Sequence, residues 1–380
     1  MKKFFLASAV SALFAAPATV LAQAKPAPVP TLDKILEASG ISVSGYIDAM
    51  YTHSDRNQAA FSTRVFDVEN NSFALRQFGL SVAKQPKEGF GGLVNITVGK
   101  DAQVIHSFPE NNPLSTPPTT VSATSMFDVT QAFAQYASGP LTLIAGKYVT
   151  LQGSEVIWSP TNPNASHSIL FGAIPFTHTG VRATWALSDT VSLIAGVNNG
   201  WDQLTDANKG KTLELGATLN PIKPLSITLS GYSGQEPLSA TTNGTRTSLN
   251  TVASYTIIDP LSVGLELLSV SQDNFTSLVG GGTIKAKYTG VAGYVNYMFA
   301  PKFRGVARVE SFDDKDGFHF GTTGTKYKEV TLTGAFLASN SFEARIEGRR
   351  DQATNTVFRD FSNVASKTMT SIALQGLYKF

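Results

Sequence analysis

Cysteine is absent from the 380 residues of this sequence. Disulfide cross-links, thiol nucleophiles and cysteine-ligated zinc are therefore excluded. Beyond residue 24 no run of about 18 apolar residues occurs, so no membrane-spanning helix is predicted there. An excess of charge of one sign is missing as well, because 30 basic residues nearly balance 28 acidic ones. This balance argues against a nucleic-acid partner.

Histidine is scarce, and the few histidines are scattered. No two of them stand at ligand spacing on one predicted element, so we predict no metal site and no cofactor. No nucleophile is marked by a neighbouring base and an orienting group, so we predict that the protein is not an enzyme. The five histidines are His53, His106, His167, His178 and His319.

The first 24 residues have the order of regions found in a secretory signal peptide. Lys2 and Lys3 precede an apolar run over residues 4–16, and Ala22-Gln23-Ala24 fits the small-x-small cleavage pattern. A cytoplasmic amphipathic helix is the alternative, but it does not account for this order. We therefore predict a signal peptide over 1–24 and export from a bacterial cytoplasm. Its removal leaves equal numbers of acidic and basic residues, because it carries two lysines and no acid.

The segment "SFEARIEGRRD" (341–351) alternates between two chemistries. A period of two belongs to a β-strand, whose neighbouring side chains point to opposite faces. One face of this strand is thus apolar and the other carries charges of both signs. The apolar parity holds Phe342, Ala344, Ile346 and Gly348, and the charged parity holds Glu343, Arg345, Glu347 and Arg349.

The last ten residues, "SIALQGLYKF", alternate in the same way and end on Phe380. They resemble the assembly signal of bacterial outer-membrane β-barrels, which implies the barrel-assembly machinery as a partner. A soluble protein can also end in an amphipathic strand. The export signal at the other end of the chain favours the membrane interpretation.

A sixteen-stranded barrel accounts for the rest of the chain. Short turns rich in Pro, Gly, Asp, Asn and Ser, such as 138–140 and 259–260, alternate with long polar segments. The long segments are 54–71, 102–125, 149–177, 235–245, 273–284, 313–324 and 352–365. The predicted strands are 41–53, 72–84, 89–101, 126–137, 141–148, 178–187, 191–199, 209–220, 224–234, 246–258, 261–272, 285–299, 303–312, 325–337, 341–351 and 366–380.

We therefore predict an all-β fold, a transmembrane antiparallel β-barrel of about 16 strands with long outer loops and short periplasmic turns. Residues 25–40 form a periplasmic Pro-rich segment with a short helix, and residues 41–380 form the barrel. Apolar side chains face lipid, and aromatic residues near the strand ends build interfacial girdles. The facing of strands 72–84, 126–137 and 141–148 stays open at Arg76, Asp128 and Lys147.

Three segments resemble the OmpL-like β-barrel porin family. They are residues 146–202, beginning "GKYVTLQGSEVIWSPTNP", residues 342–358, "FEARIEGRRDQATNTVF", and the end "ALQGLYKF". The start of the mature chain, "LEASGISVSGYIDAMY", is similar as well. This resemblance implies a pore-forming barrel in the outer membrane. It implies no substrate.

The longest loop, 149–177, is the candidate constriction. It carries a large apolar load and Glu155 as its one formal charge, so we predict that it folds into the lumen and packs on the wall. Packing over the barrel mouth or against another subunit is the alternative. A carboxylate would then face an arginine-rich wall across a narrowed pore and sort solutes by charge. The predicted lining residues are Glu155, Arg182, Arg304, Arg308, Glu329, Glu343, Arg345, Glu347 and Arg349.

Three functions remain open from the sequence. The first is a porin for passive diffusion of small hydrophilic solutes, because sixteen strands enclose a water channel. The second is a channel selective for one class of nutrient. The third is a surface-exposed adhesin or barrel enzyme acting through its outer loops. Outer-membrane lipids are the expected surroundings, and a homotrimer is expected by analogy with general porins.

Overall fold

The computed structural model describes residues 31–57, 63–105, 125–238 and 242–380. The predicted signal peptide and the Pro-rich residues 25–30 lie outside these ranges, as do parts of the predicted loops 54–71, 102–125 and 235–245. Helix α1 (Leu32–Ser39) lies where the sequence predicts a short helix. None of the helices in the described ranges is long and apolar enough to cross a membrane.

All sixteen predicted strands are present in the described chain, and their ends lie within four residues of the predicted ones. Two short strands, β16 and β17, form a small hairpin in the last long loop. The strands are β1 Ser42–Ser54, β2 Ser72–Lys84, β3 Gly89–Val98, β4 Phe127–Ser138, β5 Leu141–Val149, β6 Thr177–Ala186, β7 Val191–Asn198, β8 Thr212–Ile222, β9 Leu225–Pro237, β10 Asn243–Ile258, β11 Leu261–Thr276, β12 Thr283–Ala300, β13 Phe303–Asp314, β14 Thr325–Leu337, β15 Phe342–Ala353, β16 Phe358–Arg359, β17 Ala365–Ser366 and β18 Thr368–Lys379.

The sixteen longer strands form one closed antiparallel barrel in which each strand pairs with its neighbours in the chain. The first strand, β1, pairs with the last, β18, over Tyr46 to Ser54. Gly45 and Phe380 exchange two backbone hydrogen bonds of 2.9 Å at the edge of this seam. Closure pairs the backbone N–H and C=O groups that an open sheet would leave without hydrogen bonds at its edges. A sheet in hydrocarbon requires this pairing.

The two faces of the barrel follow the predicted alternation. On β15, Ile346 is 56% exposed, whereas Glu347 on the opposite face is 2% exposed. The predicted girdle residues all lie on the outer surface and are exposed. They are Tyr136, Trp185, Tyr297, Phe299, Phe336, Tyr378 and Phe380. Apolar side chains thus face lipid and polar ones face the lumen.

β-Bulges explain why the facing of two of the three unsettled strands, β2 and β4, could not be read from the sequence. The pairing of β1 with β2 shifts between Asp48 and Ala49, and Arg76 and Gln77 on β2 are consecutive yet both buried. The pairing of β3 with β4 shifts between Asn95 and Ile96. A bulge inserts one residue and moves the following side chains to the other face.

The third unsettled strand, β5, changes parity at a glycine. Gly146 has a φ of 137°, a conformation that favours glycine, and the next two residues, Lys147 and Tyr148, are both buried. The Lys147 ammonium lies 3.3 Å from the carboxylate of Asp128. Both charges, whose placement the sequence left open, are therefore paired inside the barrel.

Candidate functional site: the inner loop and its wall

Residues 150–176 connect β5 to β6 and run inside the barrel; we call them the inner loop. Asn162 fixes its first half, because its Oδ1 accepts the N–H of Val156 at 2.9 Å and its Nδ2 donates to the Val156 carbonyl at 2.6 Å. A 3-10 helix, Ser159–Thr161, follows Trp158. Helix α3 (Ile169–Gly172) is capped by Ser168, whose hydroxyl accepts the N–H of Phe171.

Wall glutamates accept backbone N–H groups of the inner loop. A carboxylate that accepts two adjacent N–H groups fixes both the position and the direction of the chain, and these bonds are stronger than neutral ones. The bonds run from Ser154 N to Glu266 (3.0 Å), from Ala165 N and Ser166 N to Glu347 (2.7 and 2.9 Å), and from Ile169 N and Leu170 N to Glu310 (3.0 and 3.2 Å).

Wall arginines bind backbone carbonyls of the same stretch. The guanidinium fork reaches a carbonyl of the loop and a wall carboxylate at once, so each arginine joins the loop to the sheet. The bonds run from Arg345 to Asn164 O (2.9 Å), from Arg76 to Ala165 O (2.7 Å), from Arg308 to Ser166 O (2.8 Å) and from Arg349 to His167 O (2.6 Å).

Five residues at the centre of these contacts form a surface that we call the anchoring wall. They are Arg308 and Glu310 of β13, Glu329 of β14, and Glu347 and Arg349 of β15. Glu310 and Glu329 stand opposite each other in the strand register, and arginines flank the pair. Each of the five is no more than 6% exposed. These buried charges depend on one another to hold the loop, because removal of one leaves its partner buried without an opposite charge.

Apolar contacts complete the seat of the loop. Ile169, Leu170 and Ile174 belong to a buried cluster with Tyr288 and Phe312 of the wall. Gly290 makes room for this packing, since a Cβ atom there would lie 2.7 Å from Leu170 Cδ1. The predicted apolar load of the loop is thus buried against the barrel.

The other side of the loop packs on outer segments. Phe171 and Phe176 cluster with Phe66 of the β1–β2 connection and with Ile105 of helix α2 (Ala102–Ile105). At the end of the loop, Asp202 accepts the N–H groups of Phe176 and Thr177 at 2.8 and 2.9 Å. Burial raises the pKa of Asp202 to about 6.

The prediction that Glu155 faces the arginine-rich wall across a narrowed pore is wrong. Arg308 Nη1 lies 2.7 Å from Glu155 Oε1, and both side chains are at most 2% exposed. The other oxygen of Glu155 accepts the N–H of Ser168 at 2.6 Å. Because the loop packs directly on the wall, the two charges form a buried ion pair and not a field across water.

Of the nine predicted lining residues, five form the contacts between the inner loop and the wall. These are Glu155, Arg308, Arg345, Glu347 and Arg349, and Glu329 supports them through its 3.0 Å bond from Arg308. Arg304 and Glu343 pair with each other nearer the short-turn end. Arg182 is elsewhere: it pairs with Glu214 of β8 and donates to the carbonyl of Val149.

Several anchors were absent from the sequence prediction. Glu310 shares the parity of Arg308 on β13, so the alternation could have found it. Arg76 was hidden by the bulge in β2. It binds Asp101, with 3.0 Å between Nη2 and Oδ2, and reaches Ala165 of the loop. No local signal marks the partner of either residue.

One protein-family model matches most of the chain. The family described as "Putative beta-barrel porin-2, OmpL-like" matches over residues 40–380. The chain belongs to this family. A comparison with curated proteins found no match.

Solved structures show the porin fold of this family member with little sequence identity. The outer membrane channel DcaP of Acinetobacter baumannii is 14% identical with a TM-score of 0.61, and the alignment covers 90% of this chain and 97% of that one. OmpT, expressed in the outer membrane of Vibrio cholerae, is 10% identical with a TM-score of 0.59, covering 90% and 97%. An anion-selective porin from Comamonas acidovorans is 9% identical with a TM-score of 0.59, covering 90% and 99%.

Family and fold together support the bacterial outer membrane as the location of this porin. The side chains that hold its inner loop come from β1, β2, β9–β15 and β18, on a large part of the barrel circumference. Asp202, in the connection between β7 and β8, binds the loop where it returns to the wall.

Proposed function

We propose that the protein forms a water-filled channel in the bacterial outer membrane through which small hydrophilic solutes diffuse passively. The inner loop is its constriction. One observation carries the proposal: a sixteen-stranded barrel, which is wide enough for an aqueous lumen, holds a loop fixed to its inner wall. The fixed loop narrows the lumen and leaves the rest of its cross-section to water.

The charged residues act here mainly by holding the loop in place. Burial of an ion pair costs several kcal/mol of hydration. A conducting path therefore has no use for such pairs unless they hold the inner loop in position. We infer that Glu155, Arg308, Glu329, Arg345, Glu347 and Arg349 set the width of the path. Arg304, whose side chain is 15% exposed, is the member of the predicted set that contacts water most.

Biogenesis follows the outer-membrane route in this proposal. The signal peptide is cleaved after Ala24, and the barrel-assembly machinery recognises the last strand through Phe380. The Phe380 ring packs near Phe78 on the outer surface, with ring centroids 6.3 Å apart, so it is accessible beside the closing seam. Homotrimers form through the outer surface; a trimer form is known for Vibrio cholerae OmpT, which has the same fold.

Planar-bilayer recording with the refolded mature protein tests this function. We expect stepwise, ohmic conductance increases, and liposomes containing the protein should swell in isosmotic solutions of small sugars. A variant that lacks residues 156–172 should fold, as judged by heat-modifiable migration, and conduct more than the wild type. Folded protein without conductance steps would overturn the channel. Equal conductance of the trimmed barrel would show that the constriction is elsewhere.

A further inference from the structure

The short-turn side of the inner loop leaves a cavity of about 360 Å³ beside strands β1–β4. Small-molecule sites in proteins have volumes of about 300–1,000 Å³. Four polar side chains from the wall, Ser44, Ser81, Asn95 and Gln131, line this cavity opposite Trp158 and Pro160 of the loop. The cavity therefore has one polar side and one aromatic side.

The four wall residues form a continuous row across the sheet, which we call the polar row. Ser44 pairs with Ser81, Ser81 with Asn95, and Asn95 with Gln131 in the strand registers. Directly paired residues of neighbouring strands place their side chains about 4.5–5.5 Å apart on one face. Four hydrogen-bonding groups thus stand side by side across β1, β2, β3 and β4.

Much of the hydrogen-bonding capacity of the polar row is unused. Asn95 donates through Nδ2 to the Leu80 carbonyl at 3.2 Å, and Gln131 accepts the N–H of Val149 through Oε1 at 3.2 Å. Within the described ranges, the hydroxyls of Ser44 and Ser81, the Asn95 Oδ1 and the Gln131 Nε2 have no protein partner. Donors and acceptors are both available to a solute.

The aromatic side of the cavity is held in place by the wall. Trp158 packs edge-on against Tyr46, with ring centroids 4.5 Å apart. Tyr46 is fully buried and donates its hydroxyl to the Gln77 side chain. Gly79, its partner across β1 and β2, lets the Tyr46 ring lie flat, because a Cβ atom there would lie 2.2 Å from the ring. The Trp158 ring is therefore preorganised at the cavity.

Charged side chains are few in the lining of this cavity. Lys379 is the one ionisable side chain of the cavity lining, and it has no ion-pair partner among the residues that the structure describes. The anchoring wall, in contrast, keeps its charges buried under the loop. The cavity offers amides, hydroxyls and an aromatic ring, which together match a solute with hydroxyl groups on its rim and C–H groups on its faces.

We propose that this cavity is a binding subsite for neutral polyhydroxylated solutes, such as sugars and sugar alcohols, on the diffusion path. The inference rests on the proposed channel function and names its solute class. Solute hydroxyls exchange hydrogen bonds with the polar row, while the C–H face of the solute packs on Trp158, whose negative ring face attracts it. Loose binding of this kind favours entry without preventing exit.

Sugar-induced block of the ion current tests the subsite in refolded mature protein. Glucose and maltose should reduce the single-channel current more than polyethylene glycol of the same hydrodynamic size. Trp158→Ala should raise the half-blocking concentration about tenfold, which corresponds to about 1.4 kcal/mol, and Trp158→Phe should retain part of the block. Heat-modifiable migration checks that each variant is folded.

A paired serine variant separates the polar row from any effect on the loop. Ser44→Ala with Ser81→Ala removes two hydroxyls that have no partner in the described chain, and should raise the half-blocking concentration about threefold or more. The matched control is Ser226→Ala with Ser254→Ala, a cross-strand pair on β9 and β10 outside the cavity. The control should leave sugar block unchanged.

The outcomes distinguish this inference from the channel itself. Folded wild-type protein without conductance would overturn the channel, and the subsite with it. A conducting channel in which sugars and size-matched polyethylene glycol act equally, or in which Trp158→Ala changes nothing, would overturn the subsite alone. Block by inorganic phosphate but not by sugars, lost in Lys379→Gln, would also overturn it and assign the cavity to anions.

Discussion

Two regions of the barrel interior differ sharply in chemistry. The anchoring wall on β13–β15 carries five charged side chains, each no more than 6% exposed, beneath the inner loop. The polar row on β1–β4 carries hydroxyl and amide groups that line an open cavity. The charged region is covered by the loop, whereas the neutral region lines a cavity.

This difference separates two roles that charges play in a pore. Exposed charges act on passing ions through water, but buried and paired charges act on the chain that covers them. Arg308 bonds through Nε and Nη1 to Glu329, Glu155 and the carbonyl of Ser166, and through Nη2 to the carbonyl of His167 and the hydroxyl of Thr331. Its five donors are thus directed at protein. A lumen rich in charge is thus consistent with a path whose lining is largely neutral.

Arg308→Ala should destabilise the protein more than any other substitution considered, because it removes the central cation of the anchoring wall. It leaves Glu155 and Glu329 buried without their guanidinium partner, and loss of one member of a buried pair costs about 3–5 kcal/mol. We expect a lower midpoint of denaturant-induced unfolding and, in the protein that folds, a larger and noisier conductance as the loop detaches. Ser81→Ala on the polar row is the control and should change neither quantity by a comparable amount. Wild-type stability in Arg308→Ala would show that the wall does not anchor the loop.

Ile346→Arg should destabilise the barrel from the lipid face of β15, the strand that carries Glu347 and Arg349 of the anchoring wall. Ile346 is 56% exposed toward lipid, next to the buried Glu347, and an arginine on the lipid face near the midplane costs about 2–4 kcal/mol. Folded yield and the unfolding midpoint should both fall, whereas Ile346→Leu should match the wild type. Glu347→Gln should fold but conduct with more noise, since it weakens the bonds to Ala165 and Ser166. Equal behaviour of Ile346→Arg and Ile346→Leu would contradict the assigned facing of β15.

His319→Phe should give the smallest effect, at the long-loop end of the charged side. His319 lies in the β13–β14 connection between Tyr288, Phe312 and Phe320. Burial and then the nearby Arg246 lower its pKa from 6.5 to about 4. Protons therefore bind the unfolded chain first, so this contribution to stability is complete above pH 6.5 and is lost as the pH falls toward 4.

Unfolding midpoints at pH 7.5 and pH 4.5 check this expectation. The wild type should lose more stability on acidification than His319→Phe, which keeps an aromatic ring among the same neighbours. Parallel losses in the two proteins would mean that the histidine is hydrated in the folded state.

Periodicity was sufficient for the strands but not for the site. A period of two and the alternation of short and long connections predicted all sixteen strands, because both are local properties of the chain. They failed at Arg76, where a bulge shifts the parity. The pairing of Arg308 with Glu155 spans 153 positions in the sequence, and only the three-dimensional path of the loop brings these residues together. The sequence therefore indicated a loop that packs on the wall of the lumen, but not that Glu155 pairs directly with Arg308 there.

The seam between the first and last strands sets an order on folding. Ala165 of the inner loop packs between Met50 of β1 and Ala373 of β18, and Gln375 of β18 donates to Asp48 of β1 at 2.9 Å beside it. The seat of Ala165 does not exist until β18, the last strand made, has paired with β1. Complete docking of the loop is therefore a late event whose rate cannot exceed that of ring closure. A fluorescent probe on the loop would time the moment at which the barrel becomes a closed ring.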